Sequence, residues 1–328
     1  MKSNIQLKSI GLYHPENKVS NEVYIEHFKE RGRDVTHFLE IMGKKERFII
    51  DNASENSLTM GIQASLKALD SANMKGSEVD MIVFSSQVPE YLTPTNSSLV
   101  HQAIEGAGHA IVMDSNANCS GMVLAVEQTS RYMMANPHIN TALVVGSDHL
   151  SFIANPEQEI THGMFGDASC AVILEKTEED RGFIDGMHHT YTGCIDKIHY
   201  PVDGANKSTG KDSARFIDFQ NFDASFGMPI TFNLIESILE RNNLQIDDIN
   251  AFCLSQFAYG DTQKIQERFD ILSEKIIYVG DRFGYTGTTS PFVSLHEGIK
   301  EGRIKRGDTI LFWTVGAGHH FVAMLFKY

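Results

Sequence analysis

One cysteine, Cys119, lies in the segment DSNANCSGMVLAVEQTSRYM (114–133), after small and polar residues and before apolar residues at helical spacing. This pattern predicts a strand, a tight turn and a buried helix, with Cys119 at the start of the helix. Unpaired backbone N–H groups and the positive end of the helix dipole favour a thiolate there. We interpret Cys119 as a nucleophile. The alternative is a small packing residue, the usual role of a free cysteine.

The other three cysteines, Cys170, Cys194 and Cys253, lack the close spacing typical of zinc sites or of a secreted disulfide framework. Cys170 and Cys253 fall within apolar runs that read as core strands. We interpret all four cysteines as free thiols in a reducing compartment. The N-terminal segment has no apolar run of signal-peptide length, so the expected location is the cytoplasm.

The chain has 328 residues and a formal net charge of −14 with no basic block, which disfavours nucleic acid and anionic membrane surfaces as partners. No segment approaches the roughly 18 apolar residues of a membrane-spanning helix. The best basic cluster, KEGRIKRGD (300–308), is either a local site for an anionic donor or a solvated turn. We expect no nucleic-acid partner, no membrane partner and no metal site.

A weak internal repeat organises the elements that must position Cys119. Three segments of the first half align in order with three of the second: 68–85 with 238–255, 109–121 with 275–287, and 141–147 with 309–315. Each half therefore predicts helix, strand, strand, helix and strand. The strands are continuous apolar runs, typical of strands covered on both faces. The predicted fold is α/β, with two halves stacked as α/β/α/β/α layers.

The predicted division places an N-terminal half at residues 1–176 and a C-terminal half at residues 177–328. The repeat sets Tyr285 opposite Cys119 and brings Ser255 to the matching end of another strand. Stacking about a pseudo-twofold axis would make these strand ends converge on one central pocket. We therefore expect Cys119, Ser255 and Tyr285 to be near neighbours.

From end to end, the sequence resembles the β-ketoacyl-acyl carrier protein synthase III branch of the thiolase superfamily. The matching motifs are IMGKKERFI (41–49), SSQVPEYLTPTNSSLVHQAI (85–104), DSNANCSGMVLAV (114–126), VVGSD (144–148), MFGDASCAVILE (164–175), DRFGYTGTTSP (281–291), KEGRIKRGDTILF (300–312) and GAGHHF (316–321). Their order and spacing, more than any single motif, carry the resemblance. It implies a thiolase-like fold.

The resemblance also implies that Cys119 accepts an acyl group from a CoA or carrier-protein thioester, with no bound cofactor. The family's oxyanion hole uses the N–H of the cysteine and an N–H of a glycine-rich turn near the C-terminus. This turn corresponds to Gly316-Ala317-Gly318, with Ala317 as the expected donor. Gly316, Gly318 and His319 are expected to contact the substrate.

The chain departs from the family pattern at two positions. The family histidine corresponds to Ser255 and the family asparagine to Tyr285. A hydroxyl cannot replace a cationic imidazolium or an amide donor, and loss of one such donor typically costs about 10²–10³ in rate. Decarboxylative condensation is therefore disfavoured, whereas attack of Cys119 on a thioester is not.

Acid–base help and CoA binding also depend on particular positions. Three histidines are candidates for acid–base help, although each is alternatively an ordinary loop histidine: His162, His319 and His320. At positions where the family often holds a tryptophan and an arginine around the CoA adenine, this chain has His37 and Ile41. A further arginine position falls near Glu159. These differences favour a carrier protein or a partner subunit over CoA as donor.

Three hypotheses follow. The first is an acyltransferase that loads Cys119 and passes the acyl group to an acceptor without decarboxylation, in secondary-metabolite or fatty-acid-related biosynthesis, as a homodimer. The second is a largely structural subunit of a hetero-oligomer with a thiolase-like chain and a small third protein. The third is an ordinary condensing enzyme. In all three, segment 188–223 is expected either to cover the pocket and shape acceptor choice or to be a surface loop.

Overall fold

The computed structural model describes residues 4–208 and 215–328. The strands are β1 (Asn4–Tyr13), β2 (Lys18–Ser20), β3 (Glu46–Phe48), β4 (Met81–Ser85), β5 (Ile111–Ser115), β6 (Thr141–Asp148), β7 (Ala168–Thr177), β8 (Gly182–Thr190), β9 (Ile198–His199), β10 (Asp218–Phe219), β11 (Ala251–Leu254), β12 (Thr309–Gly316) and β13 (His320–Lys327). The helices are α1 (Asn21–Lys29), α2 (Thr36–Ile41), α3 (Ser57–Ala72), α4 (Asn96–Ala103), α5 (Gly121–Ala135), α6 (Leu150–Ile153), α7 (Glu159–His162), α8 (Ala205–Ser208), α9 (Gly227–Arg241), α10 (Tyr259–Phe269), α11 (Gly280–Phe283) and α12 (Ser290–Lys300).

Two sheets with matching strand order form the body of the molecule. The first has the order β1-β7-β6-β4-β5, and the second has the order β11-β12-β13-β8. In the first, β6, β4 and β5 run parallel and β7 is antiparallel to both neighbours. In the second, β11 and β12 are parallel, and β13 is antiparallel to both neighbours. β6 and β4 are buried at every position, as their continuous apolar runs predict.

The helices pack in three layers around these sheets. Helices α5 and α12 lie between the sheets, because each contacts strands of both. Helix α3 covers the outer face of the first sheet, and α9 covers the outer face of the second. The largest apolar core lies in the middle and includes Cys170 and Cys253, both fully buried. The predicted α/β/α/β/α layering is confirmed.

The repeat holds for four strands of each sheet. The strand expected within 275–287 is reduced to an isolated bridge between Phe252 and Ile276, and the register expected around Cys119 is wrong. A short helical turn at Asn118–Ser120 leads directly into α5, and a turn of the same type at Gly287–Thr289 leads directly into α12. Thr288, not Tyr285, therefore occupies the position equivalent to Cys119. The shift arises because α11 is inserted before the second turn, whereas only residues 116 and 117 separate β5 from the first turn.

The connection between the halves is short, whereas the segment that lines the pocket is long. Only residues 178–181 separate β7 from β8, in the charged stretch expected to link the halves. Of segment 188–223, residues 209–214 lie outside the described residues. Within the described parts of the chain, no helix has both the length and the apolar character needed to cross a membrane.

Candidate active site

A cavity of about 580 Å³ opens where the strand ends of the two sheets meet. Polar groups at its wall include Gln87, Cys119, Ser255, Tyr285 and His319. The remaining wall is dominated by apolar and aromatic side chains: Leu150, Phe165, Ile198, Ile217, Phe219, Phe222, Phe226, Met228, Phe257, Trp313, Val315 and Phe321. Four of these come from segment 188–223, whose side chains therefore help to enclose the cavity. Such an apolar cavity with a few convergent polar groups is typical of a small-molecule site.

Cys119 is half-buried at the cavity wall, in the turn that precedes α5. Its Sγ lies 3.9 Å from Nε2 and 4.0 Å from Oε1 of Gln87. Burial raises the pKa of the Cys119 thiol above its ordinary value, although a hydrogen bond from the Tyr285 hydroxyl lowers it. The expectation of a thiolate stabilised by the helix start is therefore wrong for the resting protein. Helix α5 begins two residues after Cys119, and desolvation outweighs the nearby donors.

Ser255 and Tyr285 join Cys119 in one hydrogen-bonded row. The Tyr285 hydroxyl interacts with the Cys119 sulfur, and Ser255 interacts with the Tyr285 oxygen. Both residues are buried, and burial holds the pKa of Tyr285 well above its ordinary value, so the phenol stays neutral. The Tyr285 backbone N–H donates to the Met164 carbonyl at 2.8 Å, which ties this row to the first half. The three residues are neighbours, although Tyr285 is not the repeat equivalent of Cys119.

The glycine-rich turn lies against the turn that carries Cys119. Asn118 Nδ2 donates to the Ala317 carbonyl at 3.0 Å, and Thr314 Oγ1 donates to the Cys119 carbonyl at 3.3 Å. The Ala317 N–H forms a hydrogen bond to the Cys119 sulfur that lowers the thiol pKa. At Gly316, a Cβ would lie 2.7 Å from the Ala117 carbonyl oxygen, so only glycine permits this approach.

The residues of the glycine-rich turn line two different cavities. Gly316, Ala317 and His319 line the main cavity. Gly318 instead lines a smaller neighbouring cavity of about 270 Å³, which shares Gln87 and Ala317 with the first. The two cavities therefore meet beside Cys119.

Two residues that sequence reasoning missed, Asp148 and Gln87, organise the floor of the site. Fully buried Asp148 accepts hydrogen bonds from the Thr288 N–H at 2.9 Å, the Gln87 N–H at 2.9 Å, Gln87 Nε2 at 2.8 Å and Ser86 Oγ at 3.0 Å. Burial raises the pKa of Asp148 despite these donors. The sequence signal for Asp148 was its place at the end of the apolar strand VVGSD. A carboxylate at the end of a buried strand needs several hydrogen-bond donors.

The histidines proposed for acid–base help differ in location. His319 lines the main cavity beside Phe222 and Phe226. His320 is not among the cavity-lining residues; its Nδ1 lies 3.2 Å from Ser120 Oγ. His162 packs against Tyr24, His27 and Phe28, and burial lowers its pKa to about 4. Of the three, only His319 is placed to meet a ligand in the main cavity.

The positions expected near a CoA nucleotide hold neither the tryptophan nor the arginine of the family pattern. The side chain of His37 is 85% exposed, and Ile41 is 55% exposed. Glu159 is paired with Arg33 at 3.1 Å. In the basic cluster at 300–308, Arg306 donates to the Leu7 carbonyl at 2.6 Å, so this arginine ties the N-terminal strand to the turn.

Comparison with known proteins identifies the scaffold. The family model for 3-oxoacyl-[acyl-carrier-protein (ACP)] synthase III matches residues 113–191, and the model for its C-terminal region matches residues 239–328. The chain is 30% identical over 331 residues to beta-ketoacyl-[acyl-carrier-protein] synthase III of Clostridium perfringens (strain 13 / Type A), covering 99% of each protein. The chain belongs to the 3-oxoacyl-[acyl-carrier-protein] synthase III family.

Solved structures agree with this synthase III assignment at the level of the fold. The 3-oxoacyl-[acyl-carrier-protein] synthase III of Aquifex aeolicus VF5 superposes with a TM-score of 0.85 at 23% identity, over 99% of this chain and 100% of that one. The priming beta-ketosynthase of the R1128 polyketide pathway superposes with a TM-score of 0.88 at 18% identity, over 99% and 97%. The thiolase-like fold is confirmed. Membership supports acyl transfer or condensation by a synthase III-type enzyme.

Proposed function

We propose that this chain is an acyltransferase of the synthase III type that carries its acyl group on Cys119 and delivers it without decarboxylative condensation. The observation that carries the proposal is the position of the Cys119 sulfur. It lies at the cavity wall within reach of the Tyr285 hydroxyl, the Gln87 side chain and the Ala317 N–H. A nucleophile, an adjoining oxyanion site and an apolar cavity are the parts that acyl transfer needs.

The proposed acylation step forms a bond between Cys119 Sγ and the thioester carbonyl carbon of the donor. The N–H groups of Cys119 and Ala317 stabilise the oxyanion. The carbonyl re-forms as the donor's C–S bond breaks, and the thiol proton leaves with the departing donor thiolate. Because burial raises the pKa of Cys119, the incoming thioester meets a thiol, and the Tyr285 hydroxyl stabilises the thiolate as it develops.

The residues opposite Cys119 support transfer over condensation. Ser255 and Tyr285 occupy the positions expected for the family histidine and asparagine, and both carry neutral hydroxyls. Tyr285 already interacts with the Cys119 sulfur and fills the space beside it. A second acyl thioester awaiting decarboxylation would meet neither a cationic donor nor an amide at these two positions.

The donor is an acyl-CoA or an acyl carrier protein, and the exposed positions of His37 and Ile41 support the carrier protein. The acceptor would belong to secondary-metabolite or fatty-acid-related biosynthesis. Four free thiols support a cytoplasmic location. The exposed apolar residues Ile111 and Met113 on edge strand β5 support a homodimer. We retain 1–176 and 177–328 as the two halves.

A second function, a structural subunit paired with a thiolase-like chain, is favoured by one observation. Among residues 4–208 and 215–328, the Cys119 sulfur has no histidine as a hydrogen-bond partner, so a partner chain would have to supply a base if one is needed. An ordinary condensing synthase III is the third candidate and has the least support from Ser255 and Tyr285.

Intact-protein mass after incubation with acyl-CoA and acyl-carrier thioesters tests the proposal. We expect one acyl group per chain in the wild type and in Cys194→Ala, whose half-buried thiol lies elsewhere. Cys119→Ala should gain none. An adduct that persists in Cys119→Ala would refute the role of Cys119. No adduct with any donor would favour the structural subunit.

A further inference from the structure

The half-buried side chain of His320 joins the turn of the nucleophile to the glycine-rich turn. His320 begins β13 and pairs with Gly316 of β12, so it closes the hairpin that carries Ala317. Its Nδ1 lies 3.2 Å from Oγ of Ser120, the fully buried residue directly after Cys119. A movement of the His320 ring would therefore change how the two turns sit against each other.

The hydrogen bonds around Ser120 determine which nitrogen of His320 carries a hydrogen. Ser120 Oγ donates to the Ala117 carbonyl at 2.8 Å. A hydroxyl has only one hydrogen, so the same oxygen must accept from His320, and Nδ1 is the donor. An imidazolium also carries a hydrogen on Nδ1, so this contact survives protonation of the ring. The contact thus requires a donor at the Nδ1 position in particular.

A second histidine holds the His320 ring in this orientation. The ring of His188, on the neighbouring strand β8, stacks on it with centroids 5.4 Å apart and an interplanar angle of 11°. Nε2 of His188 lies 2.7 Å from Oε2 of Glu127, a buried carboxylate on α5 that also accepts from Arg131 Nε at 2.9 Å. Packing and a supporting charge pair of this kind fix the rotamer of a positioning side chain.

Two further contacts join the same two segments. Asn118 Nδ2 donates to the Ala317 carbonyl, and Thr314 Oγ1 donates to the Cys119 carbonyl. Together with the contact of His320, they fix the distance between the N–H groups of Cys119 and Ala317. Preorganised donors stabilise an oxyanion only when they are held in place, and a misplacement of about 1 Å can cost about 10²-fold in rate.

We propose that His320 is a positioning residue, whose Nδ1–H bond to Ser120 sets the spacing of the two N–H groups that stabilise the oxyanion. This inference rests on the proposed function and adds a residue to its mechanism. His320 is not among the residues that line the main cavity, so it acts through Ser120 and not on the substrate.

The ester p-nitrophenyl butyrate tests this spacing without a natural donor, since acylation by it needs only a nucleophile and an oxyanion site. Cys119 Sγ bonds to the ester carbonyl carbon, p-nitrophenolate leaves, and the thiol proton passes to solvent. Intact mass against time, at several ester concentrations, gives the limiting acylation rate constant. We expect this constant to fall about 10- to 100-fold in His320→Phe, with little change in the half-saturating ester concentration.

Matched variants separate positioning from general damage. His320→Asn places an amide nitrogen near the position of Nδ1 and should restore most of the rate, whereas His320→Gln, with its amide near the position of Nε2, should not. His138→Phe, on the exposed loop after α5, should match wild type. Alkylation of Cys119 by iodoacetamide forms no oxyanion, so in His320→Phe it should slow far less than acylation does.

Ser120→Ala removes the acceptor and should slow acylation by a similar factor. Because both changes break one contact, the double variant with His320→Phe should be no slower than either single variant.

Equal acylation of wild type, His320→Phe and Ser120→Ala would overturn the positioning role. Additive losses in the double variant, equal rescue by asparagine and glutamine, or equal losses of acylation and alkylation would also overturn it. If wild-type Cys119 reacts with p-nitrophenyl butyrate but with no acyl thioester, the proposed function is refuted and the role of His320 is still decided by the ester. Normal thioester acylation with no effect of the His320 variants refutes the inference alone, and no acylation by either reagent refutes both.

Discussion

The turn at Asn118–Ser120 and the turn at Gly287–Thr289 have the same backbone form and each starts a central helix, but their middle residues face different surroundings. Cys119 lies at the cavity wall. Thr288 is fully buried, and its Oγ1 accepts a hydrogen bond from the Met122 N–H at 2.7 Å. The repeat thus supplies two copies of one local structure. One presents a thiol to the cavity, and the other holds the first in place.

The Asp148 carboxylate holds the second turn through Thr288 and also holds Gln87, whose side chain lies beside Cys119, and its loss should have the largest effect on stability. Asp148→Ala leaves the Thr288 N–H, the Gln87 N–H and Ser86 Oγ without this acceptor. We expect the free energy of unfolding in urea to fall by at least about 3 kcal/mol, because hydrogen bonds to a buried carboxylate are strong and its donors stay buried. Asp247→Ala, on the surface, should stay within about 0.5 kcal/mol of wild type. Similar values for the two variants would show that the hydrogen bonds to Asp148 do not stabilise this part of the site.

Replacing the middle residue of each turn tests the separate roles of the two turns. The expected loss of stability is smaller than for Asp148→Ala. Thr288→Val keeps the side-chain volume but removes the acceptor of the buried Met122 N–H. The free energy of unfolding should therefore fall by about 1–3 kcal/mol. Cys119→Ala should cost less stability, because sulfur is a weak hydrogen-bond acceptor for the Tyr285 hydroxyl, the Ala317 N–H and Gln87. Urea denaturation of both variants measures the difference. If Cys119→Ala destabilised the protein more than Thr288→Val, the turn at Asn118–Ser120 would be the structural one.

Much of this scaffold could be predicted from the sequence because its signals are local or periodic. Continuous apolar strands, the turn before α5 and the order of elements in both halves depend on neighbouring residues. The predicted register of the repeat around Cys119 was wrong because α11 adds residues to the second half. When the two halves share so few identical residues, an alignment can pass over this insertion without showing a gap. The neighbourhood of Cys119, Ser255 and Tyr285 was still predicted, since it depends on where the strands end.

The parts that were missed depend on partners far apart in the chain. The Asp148 carboxylate gathers donors from residues 86, 87 and 288, and no spacing rule connects those positions. The thiol pKa was predicted in the wrong direction because burial, the dominant cause, depends on the whole cavity wall. The absence of partners for Trp313 and His319 within the described residues is equally invisible in sequence, where each is a plausible core or loop residue.

The smallest expected effect concerns the reactive turn alone and appears as a shift in pH dependence. The Tyr285 hydroxyl stabilises the Cys119 thiolate, so Tyr285→Phe should raise the thiol pKa further. One lost hydrogen bond of about 0.5–1.5 kcal/mol corresponds to about 0.4–1.1 pH units. The rate of Cys119 alkylation by iodoacetamide, followed by mass across pH, should therefore reach half its maximum at higher pH than in wild type. At pH 7 the variant should react more slowly.

The matched control for this shift is Ser255→Ala, which contacts the Tyr285 oxygen and not the sulfur. Removing that contact should move the midpoint less than Tyr285→Phe does, because the donor to the thiolate is retained. If the midpoint pH of alkylation were lower in Tyr285→Phe than in wild type, desolvation of the thiol by the Tyr285 ring would outweigh the hydrogen bond from the Tyr285 hydroxyl. The reactive turn would then be controlled by desolvation alone, and the row of Ser255, Tyr285 and Cys119 would serve packing rather than stabilisation of the developing thiolate.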